Sequence, residues 1–247
     1  MQRYFVDILR DNRFYISEED RHHIVKVMRL KEGDQIICVS SEKSAICSIA
    51  EITDDSVIAE VVKWEEGSVE LPISVAIASG LPKGDKLEWI IQKGTELGAA
   101  RFIPFAAARS VVKWDERKAA KKVERWSKIA KEAAEQSHRQ TLPVVDEPVS
   151  VKALIEVGKS FDYKMIAFED DAKEGETSVL FSTLKEIKAG ESILFVFGPE
   201  GGLNIEEVSF LKENGFLSCG LGPRILRTET APLYALSAVS YQLELMR

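Results

Sequence analysis

Residues 198–202 have a composition that could bring the backbone close to a bound ligand. They read Gly-Pro-Glu-Gly-Gly and directly follow the apolar run 193–197. Glycine lets main-chain groups approach a ligand closely, but the segment lacks the Gly-Lys-Ser/Thr of a P-loop and the GxGxxG pattern of dinucleotide sites. A triphosphate is therefore a poor ligand for it, and an adenosine-type ligand suits it better. Taken alone, the segment is explained more simply as a tight strand-to-helix turn.

A second segment, residues 222–232, contains more charged and hydroxyl side chains than the start of a helix requires. Two cations, one carboxylate and two hydroxyls precede an apolar helix: Arg224, Arg227, Thr228, Glu229 and Thr230. A helix N-terminus accounts for Thr230 as a cap and for Pro232 in the first turn. It does not account for the other four residues at the end of a buried strand. The cluster therefore favours a functional site over a purely structural one.

The elements that must position these residues alternate between strand and helix from residue 72 onward. Apolar runs predict strands at 73–81, 101–107, 165–170, 193–198 and 216–222. Helical periodicity and capping residues predict helices at 86–98, from Asp115 to about Ser137, from Asn204 to Gly215, and from about Pro232 to Met246. This alternation predicts an α/β fold with a mostly parallel sheet covered by helices. Ligands of such sheets bind at the carboxyl ends of the strands, where a third loop begins near Phe168 and Glu169.

The N-terminal part has a different, β-rich pattern. Short β-branched segments at 35–40, 44–52 and 57–64 predict strands. Between them and the N-terminus, Ser17 and Gly33 read as the start and stop of one helix, with Ile24, Val27 and Met28 on its buried face. The pattern predicts a small β-barrel at 1–70, a linker at 65–72, and a second domain at 71–247.

Composition and charge narrow the class of protein. The apolar runs are too short to cross a bilayer, and three cysteines without a CxxC pair argue against a disulfide framework and against a zinc site. We therefore expect a soluble cytoplasmic protein with no membrane span and no metal. The net charge is −7, yet residues 71–140 carry +6. The basic outer face of the 115–137 helix could contact RNA phosphates or simply solvate the helix, and the sequence leaves both open.

Six motifs resemble those of one family and occur along the chain in the order typical of that family. The most specific are FVFGPEGGLNIEEV (195–208) and LGPRILRTETAP (221–232); the others are RYF (3–5), HHIVKVMRL (22–30), LPKGDKLEWIIQKGTELG (81–98) and EAAEQSHRQTLP (132–143). Together they are similar to the SPOUT methyltransferases, in particular to the ribosomal RNA small subunit methyltransferase E (RsmE) family. The resemblance spans both predicted domains, whereas residues 144–190 contain no diagnostic motif.

The resemblance implies a fold, a cofactor and a reaction. It implies an RNA-binding PUA-like β-barrel, a SPOUT domain with a C-terminal trefoil knot, and a homodimer that completes the site. The implied reaction is methylation of N3 of a uridine in 16S ribosomal RNA by S-adenosyl-L-methionine, on the RNA or on the assembled 30S subunit. The cofactor residues that it implies are Phe168, Gly198, Glu200, Gly201, Leu221, Gly222, Leu226, Thr228 and Thr230.

Roles for charged residues follow from that reaction. Uridine N3 is protonated at neutral pH, so the enzyme needs a base and a cation that stabilises the anion. We expect Arg227 to be the cation, and Glu229 to be either the base or the residue that holds Arg227, with a slight preference for holding. Arg3, Arg10 and Arg29 are candidate RNA phosphate contacts in the N-terminal module.

Two other functions are compatible with the sequence. One is a related knotted methyltransferase that acts on the ribose 2′-oxygen of another RNA. The other is an RNA-binding ribosome assembly factor that keeps the fold without activity. Modified-nucleoside analysis separates the two reactions, and cofactor binding separates an enzyme from the inactive factor.

Overall fold

The computed structural model describes residues 1–41, 43–111, 116–168 and 179–246. Asp115, Glu169 and Asp170, which the sequence analysis assigned to a helix start and a strand end, lie outside the described residues. Contacts divide the chain into two units, Met1–Glu70 with Ala134–Leu142, and Leu71–Ala133 with Pro143–Arg247.

Segment 134–142 is thus grouped with the first unit, whereas the division at residue 70 placed it in the second. The reason is a set of hydrogen bonds to Glu70. The Nε of buried Arg139 donates to Glu70 Oε2 at 2.9 Å, and the backbone N–H of Gln140 donates to Glu70 Oε1 at 2.8 Å. The Gln140 side chain also donates to Ser44 at 3.1 Å. These partners are 69 to 96 residues away in sequence, so no local pattern predicts them.

The first unit is a curled, half-barrel sheet of six strands. They run in the order β1-β4-β5-β6-β3-β2, with β1 and β4 parallel and the other pairs antiparallel. The strands are β1 Arg3–Phe5, β2 Leu9–Arg10, β3 Arg13–Ile16, β4 Gln35–Ser40, β5 Lys43–Ile52 and β6 Val57–Trp64. The predicted strands at 35–40, 44–52 and 57–64 are all present. Their alternating side chains fill a core around Tyr4, Phe14 and Ile36.

The helix of this unit departs from the prediction in its second half. Helix α1 (Glu18–His22) continues as a π-helical turn, His23–Val27, in which Met28 N–H donates to the His23 carbonyl five residues earlier. Ile24 is fully buried, but Val27 is 58% and Met28 36% exposed. The prediction that all three share the buried face was wrong, because the wider turn rotates the later residues out of α-helical phase.

The second unit is a seven-stranded sheet in which every pairing is parallel. Its strands are β7 Ser74–Gly80, β8 Arg101–Ala106, β9 Val144–Val145, β10 Val149–Ser150, β11 Tyr163–Ala167, β12 Ser192–Phe197 and β13 Leu217–Cys219. The order is β10-β8-β7-β12-β11-β13, and β9 pairs with β8. The helices are α2 Lys86–Glu96, α3 Glu116–Gln136, α4 Val151–Gly158, α5 Val179–Glu186, α6 Ile205–Glu213 and α7 Thr230–Ser240, which continues as a π-helical turn, Tyr241–Leu245.

Both faces of this sheet are buried, which explains the uninterrupted apolar strands. In β12, Phe195 and Phe197 point into the core that also holds Trp126 of α3. Leu194 and Val196 point into the core on the other face. The predicted α/β class, a parallel sheet covered by helices together with a PUA-like unit, is confirmed. The trefoil knot stays a prediction, since strand order alone does not define how a chain threads.

The register of the sheet determines where the site forms. Phe197 of β12 lies opposite Ser79 of β7 on one side and Ala167 of β11 on the other. The loops that follow these three strands therefore leave the sheet side by side at its carboxyl edge. In the described ranges, no helix is long and apolar enough to cross a membrane. Those ranges also contain no cluster of three or more potential metal ligands.

Candidate functional site

A cleft of about 520 Å³ lies at the carboxyl edge of the sheet of the second unit. Sites for small molecules span about 300–1,000 Å³, so the cleft can hold a nucleoside-sized ligand. It is formed by Ala167 and Phe168 at the carboxyl end of β11, the glycine loop (residues 198–202) and the arginine loop (residues 220–229) before α7. Its lining residues are Arg109, Ala167, Phe168, Phe197, Gly198, Pro199, Glu200, Gly201, Gly202, Leu203, Leu221, Gly222, Pro223, Arg224, Ile225, Leu226, Thr228 and Ala231.

The glycine loop is a turn that folds tightly onto itself. A Cβ added at Gly198 would lie 2.7 Å from the carbonyl carbon of Gly202 and from the nitrogen of Leu203. The N–H of Gly202 donates to the carbonyl of Pro199 at 2.8 Å, and Gly202 has a φ of +69°. Asn204 and Glu207 then form a capping box that starts α6. Gly198 is therefore required by the turn itself, and the turn presents its backbone edge to the cleft.

The arginine loop contributes mainly apolar groups and backbone to the cleft. Leu221, Gly222, Leu226 and Thr228 all line it, and Gly222 has a φ of +87° that favours glycine.

Thr230 departs from two predictions. It is the first residue of α7, is exposed, and is not among the lining residues. The N-cap position belongs to Glu229, whose side chain makes no capping hydrogen bond. The predicted capping role of Thr230 was wrong, because the helix begins one residue earlier than that role requires. Its predicted contact with the cofactor is likewise without support from the geometry of the cleft.

Phe168 supplies the third side of the cleft. Its backbone N–H donates to the carbonyl of Cys219 at 3.2 Å, which ties the carboxyl end of β11 to the end of β13. Eight of the nine residues predicted to bind the cofactor thus surround one cleft. Their role in binding the cofactor stays a prediction.

Arg227 and Glu229, the two predicted catalytic residues, do not line the cleft of their own chain. Arg227 is exposed, and its carbonyl accepts hydrogen bonds from the N–H groups of Thr230 and Ala231 at the start of α7. The Oε2 of Glu229 lies 3.7 Å from the Nζ of Lys86. The cation that faces Glu229 is therefore Lys86, so the geometry does not support the expectation that Glu229 holds Arg227.

Lys86 is a residue of this region that sequence reasoning gave no role. Its Nζ lies 2.9 Å from Oε1 of Glu200, and the same oxygen accepts the backbone N–H of Lys83 at 3.0 Å. The signal that could have found it is positional: residues 81–86 follow β7, which neighbours β12 in the sheet.

The ion pair between Lys86 and Glu200 is held across the neutral pH range. The hydrogen bond to Glu200 raises the pKa of Lys86, and the charge of Glu229 adds to this effect. Burial acts to raise the pKa of Glu200, but hydrogen bonds from Lys86 and from backbone N–H groups outweigh it and lower that pKa. A carboxyl group whose pKa is lowered by folding stabilises the fold at pH values above its unfolded-state pKa, and this stabilisation is lost in acid. An ammonium group whose pKa is raised by folding stabilises the fold at pH values below its unfolded-state pKa, and this stabilisation is lost in base. The pair therefore contributes between those two limits.

Arg109 is the second residue that was missed. Its Nη1 donates to the carbonyl of Gly201 at 2.7 Å, and the neighbouring N–H of Ala108 donates to Glu207 at 2.7 Å. The loop after β8 is thus attached to the glycine loop and to the first turn of α6. Because β8 pairs with β7, this loop also leaves the sheet at the carboxyl edge.

The three arginines predicted to contact RNA differ in accessibility. Arg10 and Arg29 are exposed. Arg3 is only 6% exposed, and its guanidinium faces Glu65 and the carbonyl of Arg139, each at 3.4 Å. This geometry does not favour a phosphate contact for Arg3, and the RNA-binding roles of all three arginines stay predictions.

Comparison with known proteins agrees with this geometry. The RNA methyltransferase domain family matches residues 69–240, and the RNA methyltransferase PUA domain family matches residues 16–62. The chain is 55% identical to ribosomal RNA small subunit methyltransferase E of Bacillus subtilis, over 100% of this chain and 99% of that protein. The chain belongs to the ribosomal RNA small subunit methyltransferase E family.

Two solved structures of similar proteins contain the methyl donor. One is a ribosomal RNA small subunit methyltransferase E from Neisseria gonorrhoeae bound to S-adenosyl methionine, with 26% identity, 97% of each chain covered and a TM-score of 0.83. The other is a methyltransferase from Legionella pneumophila in complex with the same cofactor, with 28% identity, 96% of each chain covered and a TM-score of 0.84.

The cleft of this family member fits a nucleoside-type cofactor on its own geometry. Small or apolar residues form most of its lining, and Gly198, Gly201, Gly202 and Gly222 place backbone without a side chain along it. A methyl group added at Gly202 would meet nothing within 4 Å, so the space beside that turn is empty of protein. Backbone donors and acceptors beside apolar walls are what adenine edges and a methionine tail require.

Proposed function

We propose that this protein uses S-adenosyl-L-methionine to methylate N3 of a uridine in 16S ribosomal RNA, in the cytoplasm. The observation that carries the proposal is the single cleft built from the loops at Phe168, residues 198–202 and residues 221–228. Those loops contain the motifs of a methyltransferase family to which the chain belongs. The cleft lies at the carboxyl edge of the sheet, which is where α/β proteins bind small ligands.

The residues of the chain perform binding, orientation and charge stabilisation. The bound cofactor would supply an activated methyl group on a sulfonium, so the protein need not generate a reactive species. The glycine loop and the arginine loop would hold the adenosine and the methionine tail through their backbones, with Phe168 closing the remaining side.

Arg227 would stabilise the uracil anion after N3 loses its proton. A guanidinium donates several N–H groups in a plane and can therefore contact a uracil oxygen on which negative charge develops. Glu229 stays the candidate base for the N3 proton, and Lys86 lies beside it.

The dimer is part of this proposal. Tyr234 is exposed on α7, Tyr241 and Leu245 are exposed on the π-helical turn that continues it, and Met246 follows. Large side chains exposed on the outer side of a helix whose other side packs into the core favour burial against a second copy. Arg227 lies just before this helix and is absent from the lining of its own cleft, so a C2 dimer through α7 could bring it to the partner's cleft.

A strain that lacks the gene tests the reaction. Nucleosides from its 16S ribosomal RNA, analysed by mass spectrometry, should lack 3-methyluridine, and re-expression of the protein should restore it. Loss of a 2′-O-methyl mark instead would support the ribose methyltransferase and contradict the proposal. Calorimetry with the cofactor addresses the inactive assembly factor, for which no binding would be seen at high micromolar concentration.

The basic face of α3 provides a second prediction. Lys122 and Arg125 are paired with Glu88, whereas Arg117 and Lys121 are exposed near the start of the helix. If that face binds RNA phosphates, Arg117→Glu with Lys121→Glu should weaken binding of a 16S fragment. The negative slope of log K against log salt concentration should become shallower by about 0.7 for each single-strand phosphate that the variant no longer neutralises.

Lys185→Glu is the control for this measurement, because Lys185 is an exposed lysine on α5. Binding isotherms at several salt concentrations measure the slope for each variant. An unchanged slope in the α3 variant would mean that this face only solvates the helix.

A further inference from the structure

One ammonium group faces a carboxylate on each of two loops that form the cleft. The Nζ of Lys86 lies 2.9 Å from Oε1 of Glu200 in the glycine loop and 3.7 Å from Oε2 of Glu229 in the arginine loop. Lys86 itself begins α2, after the loop that follows β7. Three segments that are far apart in sequence thus meet at this side chain.

The Glu200 end of this contact is anchored. Its Oε1 also accepts the backbone N–H of Lys83. The loop that carries Glu200 is pressed against β7, because a Cβ at Gly80 would lie 2.5 Å from Pro199 Cδ. Glu200 therefore has little freedom to move relative to the sheet.

The Glu229 end depends on Lys86. The Oε2 of Glu229 is buried and accepts no hydrogen bond within the described part of the chain. A buried carboxylate oxygen without a hydrogen bond is unfavourable unless a cation compensates it. Lys86 is the cation that lies 3.7 Å from it, and Arg227 acts on Lys86 as a like charge.

We propose that Lys86 is a positioning residue that aligns the arginine loop with the glycine loop. The anchored carboxylate of Glu200 holds the ammonium group of Lys86 in place, and the ammonium group in turn holds Glu229 at the end of the arginine loop. Its effect on catalysis rests on the proposed function, whereas its effect on the two loops does not. The role also accounts for the second lysine of the segment LPKGDK, to which the reaction assigns no other task.

Hydrogen exchange of the cofactor-free, full-length protein tests the alignment. Lys86→Met removes the ammonium and keeps the apolar stem. The amides of Gly202, Thr230 and Ala231, whose hydrogen bonds close the glycine loop and the end of the arginine loop, should then exchange about three- to tenfold faster. Lys93→Met is the matched control, because Lys93 lies on the same helix and pairs with Glu96 one turn away. Wild-type exchange rates in both loops of the Lys86→Met protein would overturn the proposal.

Kinetics separate positioning from a general loss of structure. Lys86→Met should lower kcat for methyl transfer by about tenfold while KM for RNA stays within about twofold, and Lys86→Arg should recover most of the activity because it restores the cation. Equal losses in the Arg and Met variants, with equal falls in Tm, would indicate a structural role only and overturn the proposal. If wild type transfers no methyl group at all, the proposed function fails, but the exchange experiment still decides the role of Lys86.

Discussion

Gly198→Ala is expected to weaken binding of S-adenosyl-L-methionine by roughly 5- to 150-fold, which corresponds to about 1–3 kcal/mol of overpacking. The new methyl group would lie 2.7 Å from main-chain atoms of Gly202 and Leu203, which cannot swing aside as a flexible side chain can. The glycine loop must therefore open, and the backbone that lines the cleft moves with it. Isothermal titration calorimetry of the purified variant measures the decrease in affinity.

Gly201→Ala is the graded control for this prediction. It adds the same methyl group to the same loop, but the nearest atom would be Arg109 Cβ at 3.1 Å, a looser contact than the 2.7 Å contacts at Gly198. We expect a smaller loss of affinity than for Gly198→Ala. Gly80→Ala, which presses on Pro199 from the neighbouring strand, should resemble Gly198→Ala. Wild-type affinity in Gly198→Ala, or an equal loss in Gly201→Ala, would show that the turn does not shape the cofactor site.

Arg227→Ala is expected to lower the single-turnover rate of methyl transfer by about 10²–10³-fold, the usual effect of removing one group that stabilises charge in a transition state. Affinity for the cofactor should stay within about threefold of wild type, because Arg227 does not line the cleft of its own chain. The two quantities are measured on the same preparation, by quench-flow with labelled cofactor and by calorimetry.

A distant surface cation controls for the removal of one positive charge. Lys159 pairs with Glu156 at the C-terminal end of α4 and is largely exposed. Lys159→Ala should therefore leave the rate of methyl transfer and the affinity for the cofactor unchanged. Should Arg227→Ala lose cofactor affinity and turnover by the same factor, Arg227 would be a binding residue and its proposed catalytic role would be contradicted.

The fold could be predicted wherever the deciding interactions are local or periodic. Strands β4 and β6 have the bounds expected from their β-branched runs, and the alternation beyond residue 72 defined the parallel sheet. The two C-terminal motifs could be brought to one edge because the carboxyl ends of parallel strands coincide. By contrast, the two-residue strands β2, β9 and β10 carry too few residues to show a period.

Most of the wrong or missing predictions share one physical cause, a partner that is remote in sequence. Arg3 reads as a surface charge until Glu65 and the carbonyl of Arg139 are placed beside it. Lys86 forms its ion pair with Glu200, which lies 114 residues later in the sequence. Val27 was misplaced for a different reason, since it lies in a π-helical turn whose residues do not keep the phase of an α-helix. Sequence patterns indicate which residues share a face, but ion pairs across the fold decide which charges stay available for function.

A crystal structure of the protein grown with saturating S-adenosyl-L-methionine tests the central claim most directly. The cofactor should occupy the cleft beside Phe168, with its polar edges bonded to main-chain groups of residues 198–202 and 221–228. Cofactor bound anywhere else, or a cleft that stays filled by solvent at millimolar cofactor, would contradict the assignment.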